Sequence, residues 1–357
     1  MFTAMKKTLK EIIFQEIREK GPIPFSRYME MCLYHSDLGY YQRQEHITGP
    51  AGDFFTAPHV HALFGQTLAA WIRSEAVKID FSGVTVLERG PGNGQLAQDL
   101  LDHWDPKGPP LSLILVEASG PRQRDLKARF TGRPVRVLPA EEVDDLDPVD
   151  GVVLANEFFD ALPLRIFEKR DGNPMEVHVD QKSGEIEEVL LPIDKPPEGF
   201  HDLLTGLPEG FRTEVSSEWG PWIGRTARVL GRGKLVVVDY GEFSDGLIVP
   251  WRMGGTLRCY KRHQVDTNPY EDPGEKDITA HVNFSFLKTL ALEAGFTLRS
   301  YTSQSSFLIK AGILDLLAGQ MEQLPEKEAT GLWLTVKNLI HEDGMGEIFK
   351  AMVFEKV

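Results

Sequence analysis

Cysteine is almost missing from this 357-residue chain, with Cys32 and Cys259 its two thiols. Two cysteines cannot build the bridge framework on which small secreted folds rely, and they suit a reducing compartment. Cations are also in deficit: 39 Lys and Arg stand against 53 Asp and Glu, a formal net charge of −14. Gripping a phosphate backbone needs clustered Lys and Arg, so this balance excludes a nucleic-acid-binding surface. The sequence has no apolar run of about 18 residues, the length at which a membrane-spanning helix is read. The opening MFTAMKKTLKEIIFQEI lacks the long apolar core and cleavage site of a secretory signal, and its acids argue against a transit peptide. The expected location is therefore the cytoplasm. His59 and His61 have no further ligand set nearby, so no metal site is expected. No internal repeat or low-complexity tract is present, and oligomeric state is not legible.

What is present is an ordinary globular composition, 41% hydrophobic and 26% charged. Leu9, Ile12, Ile13 and Ile17 recur at helical spacing up to Gly21-Pro22. FSRYMEMCLYH and HALFGQTLAAWIRSEAV read as two further helices, so residues 1–78 are expected to form a helical N-terminal cap. From residue 79 to 357 the texture is that of one α/β domain, in which VTVLE, LSLILVE, PVRVL, GVVLA and GKLVVVDYG read as apolar strands with helices between them. Continuously apolar strands alternating with helices imply a parallel sheet covered on both faces. Residues 171–230 break the rhythm with polar, Pro- and Gly-containing sequence and read as an insertion.

The chemistry begins at VTVLERGPGNGQLAQDLL, residues 84–101. In an open parallel sheet, ligands sit beyond the carboxyl ends of the strands, where Gly90, Gly92 and Gly94 fall. The spacing is not the dinucleotide G-x-G-x-x-G, because Gln95 stands where the last glycine would be. No Lys-Ser/Thr pair makes a phosphate loop either. Glu88 leads the turn instead, and a carboxylate there suits a cation better than a pyrophosphate. S-adenosyl-L-methionine carries a sulfonium and an ammonium and no phosphate. Glu117 closes the next strand, where an acid accepts both ribose hydroxyls. Leu96 and Ala118, beside these elements, complete the expected cofactor set.

Around this turn, FSRYMEMCLY, GDFFTAPHV, ERGPGNGQLAQDLL, ANEFFDALP, VVVDYG, GTLRCY and DITAHVNFS resemble, in order, the MidA-type methyltransferases. That family includes a mitochondrial complex I assembly factor that methylates an arginine of an NADH dehydrogenase subunit. The match runs from about residue 20 to the terminal GEIFKAMVFEK; GDFFTAP together with NEFFDALP is its specific part. The resemblance implies a class I methyltransferase fold, Rossmann-like and mostly parallel, with S-adenosyl-L-methionine as cofactor. It implies a protein substrate with an acceptor arginine, such as a respiratory NADH dehydrogenase subunit. Two departures stand out. Ala57 and His59 replace the usual Ser and Glu of GDF-x-T-S-P-E, and Arg89 stands where a hydrophobic or small residue is more usual.

On the acceptor side, GVVLA is a buried strand, so Asn156 emerges at its carboxyl end, on the rim that carries the glycine turn. Glu157 and Asp160 follow at i, i+3 and would share a face if a helical turn formed, with Asn156 as its N-cap. An arginine's planar donor fork pairs with carboxylates, so Asn156, Glu157 and Asp160 are the candidates for orienting the acceptor. Capping a short helix is the competing role for the two acids. His281, in DITAHVNFS, is a candidate contact to acceptor or cofactor. GDFFT reads as a lid over the cofactor through Asp53, Phe54 and Thr56, or as a hydrophobic plug. Two other functions are consistent with the sequence: a nicotinamide-dependent oxidoreductase on the same sheet, and a non-catalytic assembly factor that binds S-adenosylmethionine and a partner subunit.

Overall fold

The computed structural model describes residues 7–42, 56–79, 81–197, 199–262 and 264–357. The chain divides into two compact units, each built from three separate stretches of sequence.

One unit comprises Thr48–Phe159, Trp222–Gly241 and Leu290–Val357. Its apolar runs become strands β1 (Val84–Arg89), β2 (Leu111–Glu117), β3 (Val135–Pro139), β4 (Val149–Asn156), β5 (Leu230–Glu242), β6 (Thr297–Ser303) and β7 (Phe349–Lys356). They pair in the order β6–β7–β5–β4–β1–β2–β3. The stretch from β5 through β4, β1 and β2 to β3 is parallel, and β7 enters antiparallel between β5 and β6. The α/β, mostly parallel sheet expected from the alternation of strands and helices is what forms. Helices α1 (Leu63–Ile79), α2 (Gln95–Asp102) and α3 (Gly120–Arg129) accompany it. Leu68, Ile72, Leu96, Leu100, Val86 and Leu154 meet in one buried core. Burying each such side chain contributes about 1.5–3 kcal/mol. Gly65 lets α1 approach α2 closely, since a Cβ there would lie 2.4 Å from Asp99 Cβ.

The other unit comprises Met1–Ile47, Asp160–Pro221 and Glu242–Thr289. Its helices Leu9–Lys20 and Phe25–Tyr34 accompany an antiparallel sheet. In that sheet Asn173–Lys182 pairs with Ile23–Pro24, Arg165–Arg170 and Glu185–Pro192, and Arg212–Val215 pairs with Arg165–Arg170. Buried acids are paired: Glu176 takes both Nε and Nη2 of Arg165, and Glu168 and Glu188 share Arg212.

These units redraw the expected boundaries. Helix α1 goes with the parallel sheet and not with a cap, because its apolar face packs against α2 and the sheet core. Residues 160–170 and 242–289 join most of the segment read as an insertion, which contains the strands Asn173–Lys182, Glu185–Pro192 and Arg212–Val215.

Candidate cofactor and acceptor site

β1 delivers the chain into the glycine turn. Gly90, Gly92 and Gly94 have φ of +62°, +55° and +81°, a region that side chains disfavour. Their surroundings differ. A Cβ on Gly94 would lie 2.8 Å from both Leu126 and Phe130, so this glycine lets α2 pack against α3. Among the described residues, a Cβ on Gly92 would meet nothing within 4 Å, so the turn presents bare backbone to them there. Leu96, one residue into α2, is buried in the core beneath the turn.

Two buried carboxylates flank the turn. Glu88 is 4% exposed, and its Oε2 has no hydrogen-bond partner among the described residues. Burial, and then the charge of Asp99, push its pKa up to about 8. Burial likewise raises Asp99 to about 6, against a hydrogen bond from Gln95. Glu117 ends β2 with its Oε1 accepting the Ser119 N–H at 2.8 Å. Burial raises its pKa, while Arg122 and the N–H groups of Ser119 and Ala118 oppose the rise. Ala118 itself is exposed at the strand end.

A set of polar contacts not expected from the sequence ties the turn to the segment Thr56–Val60. His59 Nδ1 lies 2.6 Å from Thr56 Oγ1 and its Nε2 lies 2.9 Å from Asn93 Nδ2. The amide can only donate, so the bonding assigns Nε2 as acceptor and the Nδ1–H tautomer to a neutral ring. Asn93 Oδ1 in turn accepts the Gln95 N–H that opens α2, and Arg129 donates to the Asn93 carbonyl. Burial lowers the pKa of His59, which suits the neutral form. An asparagine between two glycines was the available signal. Asp53 and Phe54 lie outside the described residues.

At the end of β4 the structure departs from expectation. No helical turn follows Asn156: Glu157 takes φ +50°, and its N–H bonds back to Val238 O at 2.8 Å. Glu157 and Asp160 therefore do not share a helix face. Glu157 Oε1 accepts the Ala57 N–H at 3.0 Å and Asn156 Nδ2 at 3.3 Å. The Asn156 Oδ1 is buried and meets no donor among the described residues. Asp239, fully buried on β5, accepts the N–H groups of Phe158 and Phe159 at 3.2 and 2.9 Å. It thereby fixes the loop that a helix N-cap was expected to fix. Asn156 and Glu157 thus belong to the unit that carries the turn, with β4 pairing directly with β1.

Asp160 and His281 belong to the other unit. Asp160 is 3% exposed, and its carbonyl accepts the Ala280 N–H. His281 Nδ1 faces Arg252 Nη1 at 2.9 Å, which makes Nδ1 the acceptor and leaves the ring proton on Nε2. The His281 N–H reaches Thr256 Oγ1, and buried Glu214 holds Thr256 through both its N–H and its hydroxyl.

The donors and acceptors around the turn fit its expected ligand. Orphaned acidic oxygen on Glu88, a carboxylate on Glu117 and open backbone at Gly92 suit a ligand bearing cationic centres and ribose hydroxyls. Acidic side chains at the ends of β1 and β2 offer a pyrophosphate no compensating cation, so the nicotinamide reading fits poorly. When bound, S-adenosyl-L-methionine supplies an electrophilic methyl group.

Comparison with known proteins agrees. A family model described as "Putative S-adenosyl-L-methionine-dependent methyltransferase" matches residues 66–302. A Burkholderia thailandensis protein solved with S-adenosyl-homocysteine bound superposes with a TM-score of 0.85, at 32% identity over 98% of this chain and 92% of that one. The zebrafish "Protein arginine methyltransferase NDUFAF7, mitochondrial" is 29% identical over 98% of this chain and 87% of its own. The human protein of that name is 31% identical over 78% of this chain and 68% of its own. Their mitochondrial designation overturns the cytoplasmic location expected from the scarce cysteines, the lack of a long apolar run and the opening residues. Sheet order, glycine turn and matching relatives place this chain in the S-adenosyl-L-methionine-dependent methyltransferase family, with the α/β class I fold and S-adenosyl-L-methionine as its cofactor.

Proposed function

We propose that this enzyme methylates a guanidinium nitrogen of an arginine in a protein substrate, such as a subunit of a respiratory NADH dehydrogenase. The observation that carries the arginine is that relatives similar over most of the chain are named protein arginine methyltransferases. Geometry supports it at the end of β4, where Glu157 is pinned by the Ala57 N–H and Asn156. A fixed carboxylate pairs with the guanidinium fork and keeps its charge compensated while one nitrogen faces the methyl donor. Such alignment supplies about 7–11 kcal/mol of the barrier lowering in favourable cases. The reading rests on Asn156 and Glu157, with Glu88, Glu117 and the glycine turn holding the cofactor.

The test uses purified NADH dehydrogenase subunits, isotopically labelled cofactor and mass spectrometry of the products. Methylarginine on one subunit, lost when that arginine becomes lysine and reduced about 100-fold or more by Glu157→Gln, is the expected result. Label on lysine, or undiminished transfer by Glu157→Gln, sinks the reading.

A further inference from the structure

Arg89 follows Glu88 on β1, so its side chain projects from the opposite face of the strand. It is 4% exposed, yet its Nε and Nη2 meet no acceptor among the described residues. Its guanidinium carbon lies 5.2 Å from the ring centroid of Trp222, itself 5% exposed, whose Nε1–H also lacks an acceptor. The Phe158 and Trp222 ring centroids are 5.2 Å apart. The unpartnered polar atoms of this cluster, among the described residues, are thus all donors.

Two features say what would complete it. The orphaned pair, Nε with Nη2, is the side-on edge by which arginine grips a carboxylate. The same edge takes Glu16 from Arg27 at 3.0 and 3.0 Å, and Glu176 from Arg165 at 2.7 and 2.6 Å. Charge is the second feature. Asp144 acts on Arg89 but is engaged by Arg228 at 2.7 Å and by Arg225 at 3.9 Å, and Arg225 repels Arg89. A single water could satisfy the N–H groups but not the buried positive charge, whose isolation is costly.

We propose that the Arg89 fork holds a small oxyanion, a carboxylate or bicarbonate, on the face of β1 opposite Glu88, with Trp222 Nε1–H as a third donor. The site is separate from the acids assigned to the cofactor. It would be occupied before substrate arrives and would neutralise the strand that carries the glycine turn.

The whole chain is titrated separately with formate, bicarbonate and chloride at constant ionic strength, reading the thermal midpoint. A ligand that binds the folded form raises the midpoint with concentration. Saturable stabilisation by formate or bicarbonate, with chloride weaker, is expected, and the more potent of the two identifies the source. Trp222→Phe keeps the ring and deletes one donor, and should weaken the effect roughly ten- to hundredfold. Arg89→Leu should abolish it while leaving a folded protein, since an apolar residue removes a buried charge. A crystal structure with formate should show the anion side-on to Arg89. Equal potency of chloride, no saturable effect, an effect that survives in Arg89→Leu, or only water at the fork overturns the proposal.

Discussion

Replacing Gly94 and Gly92 separately by alanine should split stability from cofactor binding. At Gly94 the added Cβ meets Leu126 and Phe130 at 2.8 Å, and φ is +81°. Left-handed backbone costs a non-glycine residue about 1–2 kcal/mol. Forcing an extra carbon between packed side chains costs about 1–3 kcal/mol more. The expected loss for Gly94→Ala is thus about 2–5 kcal/mol. At Gly92, with φ +55° and no neighbour within 4 Å among the described residues, only the first cost applies, so the loss is about 1–2 kcal/mol. If the open face that spares Gly92→Ala from clash is the proposed cofactor surface, its affinity for S-adenosylhomocysteine should fall more than its stability. Urea unfolding at unchanged slope gives the first quantity and calorimetric titration the second. If Gly92→Ala unfolds as easily as Gly94→Ala, or binds cofactor as wild type does, the division of labour within the turn is refuted.

Other expectations follow from buried charges. Glu88 has a folded-state pKa raised from 4.5 to about 8, so the folded form holds the proton more tightly and stability should fall as pH rises through that window. Glu88→Gln should flatten this slope in thermal scans between those limits, and an unchanged slope would count against the assignment. His59 is the reverse case: burial lowers its pKa, and protonation forfeits the acceptor for Asn93. S-adenosylhomocysteine affinity should weaken on acidification below the ordinary histidine value of 6.5, and His59→Gln should lessen that dependence. Asp239→Ala would strand the buried Phe159 N–H and the part-buried Phe158 N–H and free the NEFF loop, costing about 2–5 kcal/mol and most of the transfer rate. Near-normal kcat in that variant would show that the loop holds itself.

Much of the sheet unit was legible because its strands announce themselves. Val149–Asn156 and Leu230–Glu242 are buried on both faces, and only unbroken apolar runs tolerate that. The glycine turn was legible for a similar reason: three positive φ values within five residues leave little alternative to glycine. The antiparallel unit was missed, although two signals were present. Asp171-Gly172 and Ser183-Gly184 take positive φ at both positions, joining Arg165–Arg170 to Asn173–Lys182 and that strand to Glu185–Pro192. Such pairs are strong hairpin signals, but the charged residues between them hid the alternation. The helical turn expected after Asn156 failed because carboxylate spacing does not reveal a backbone held by Asp239 from a distant strand. The contact of His59 was hidden for the same reason, since its partner Asn93 is remote in sequence.

The position of β7 also bears on how the protein is made. Its residues, Phe349–Lys356, sit between β5 and β6, each edge bonded to a neighbour. During synthesis β6 therefore waits without a partner, and the neighbouring side of β5 stays bare, until residue 356 has left the ribosome. An exposed, apolar β5 edge is open to wrong pairing for that interval, so a nascent-chain chaperone would find its natural client stage there. A stop codon placed before residue 349 would not trim a tail; it would cut β6 off from the sheet and leave β5 as its edge.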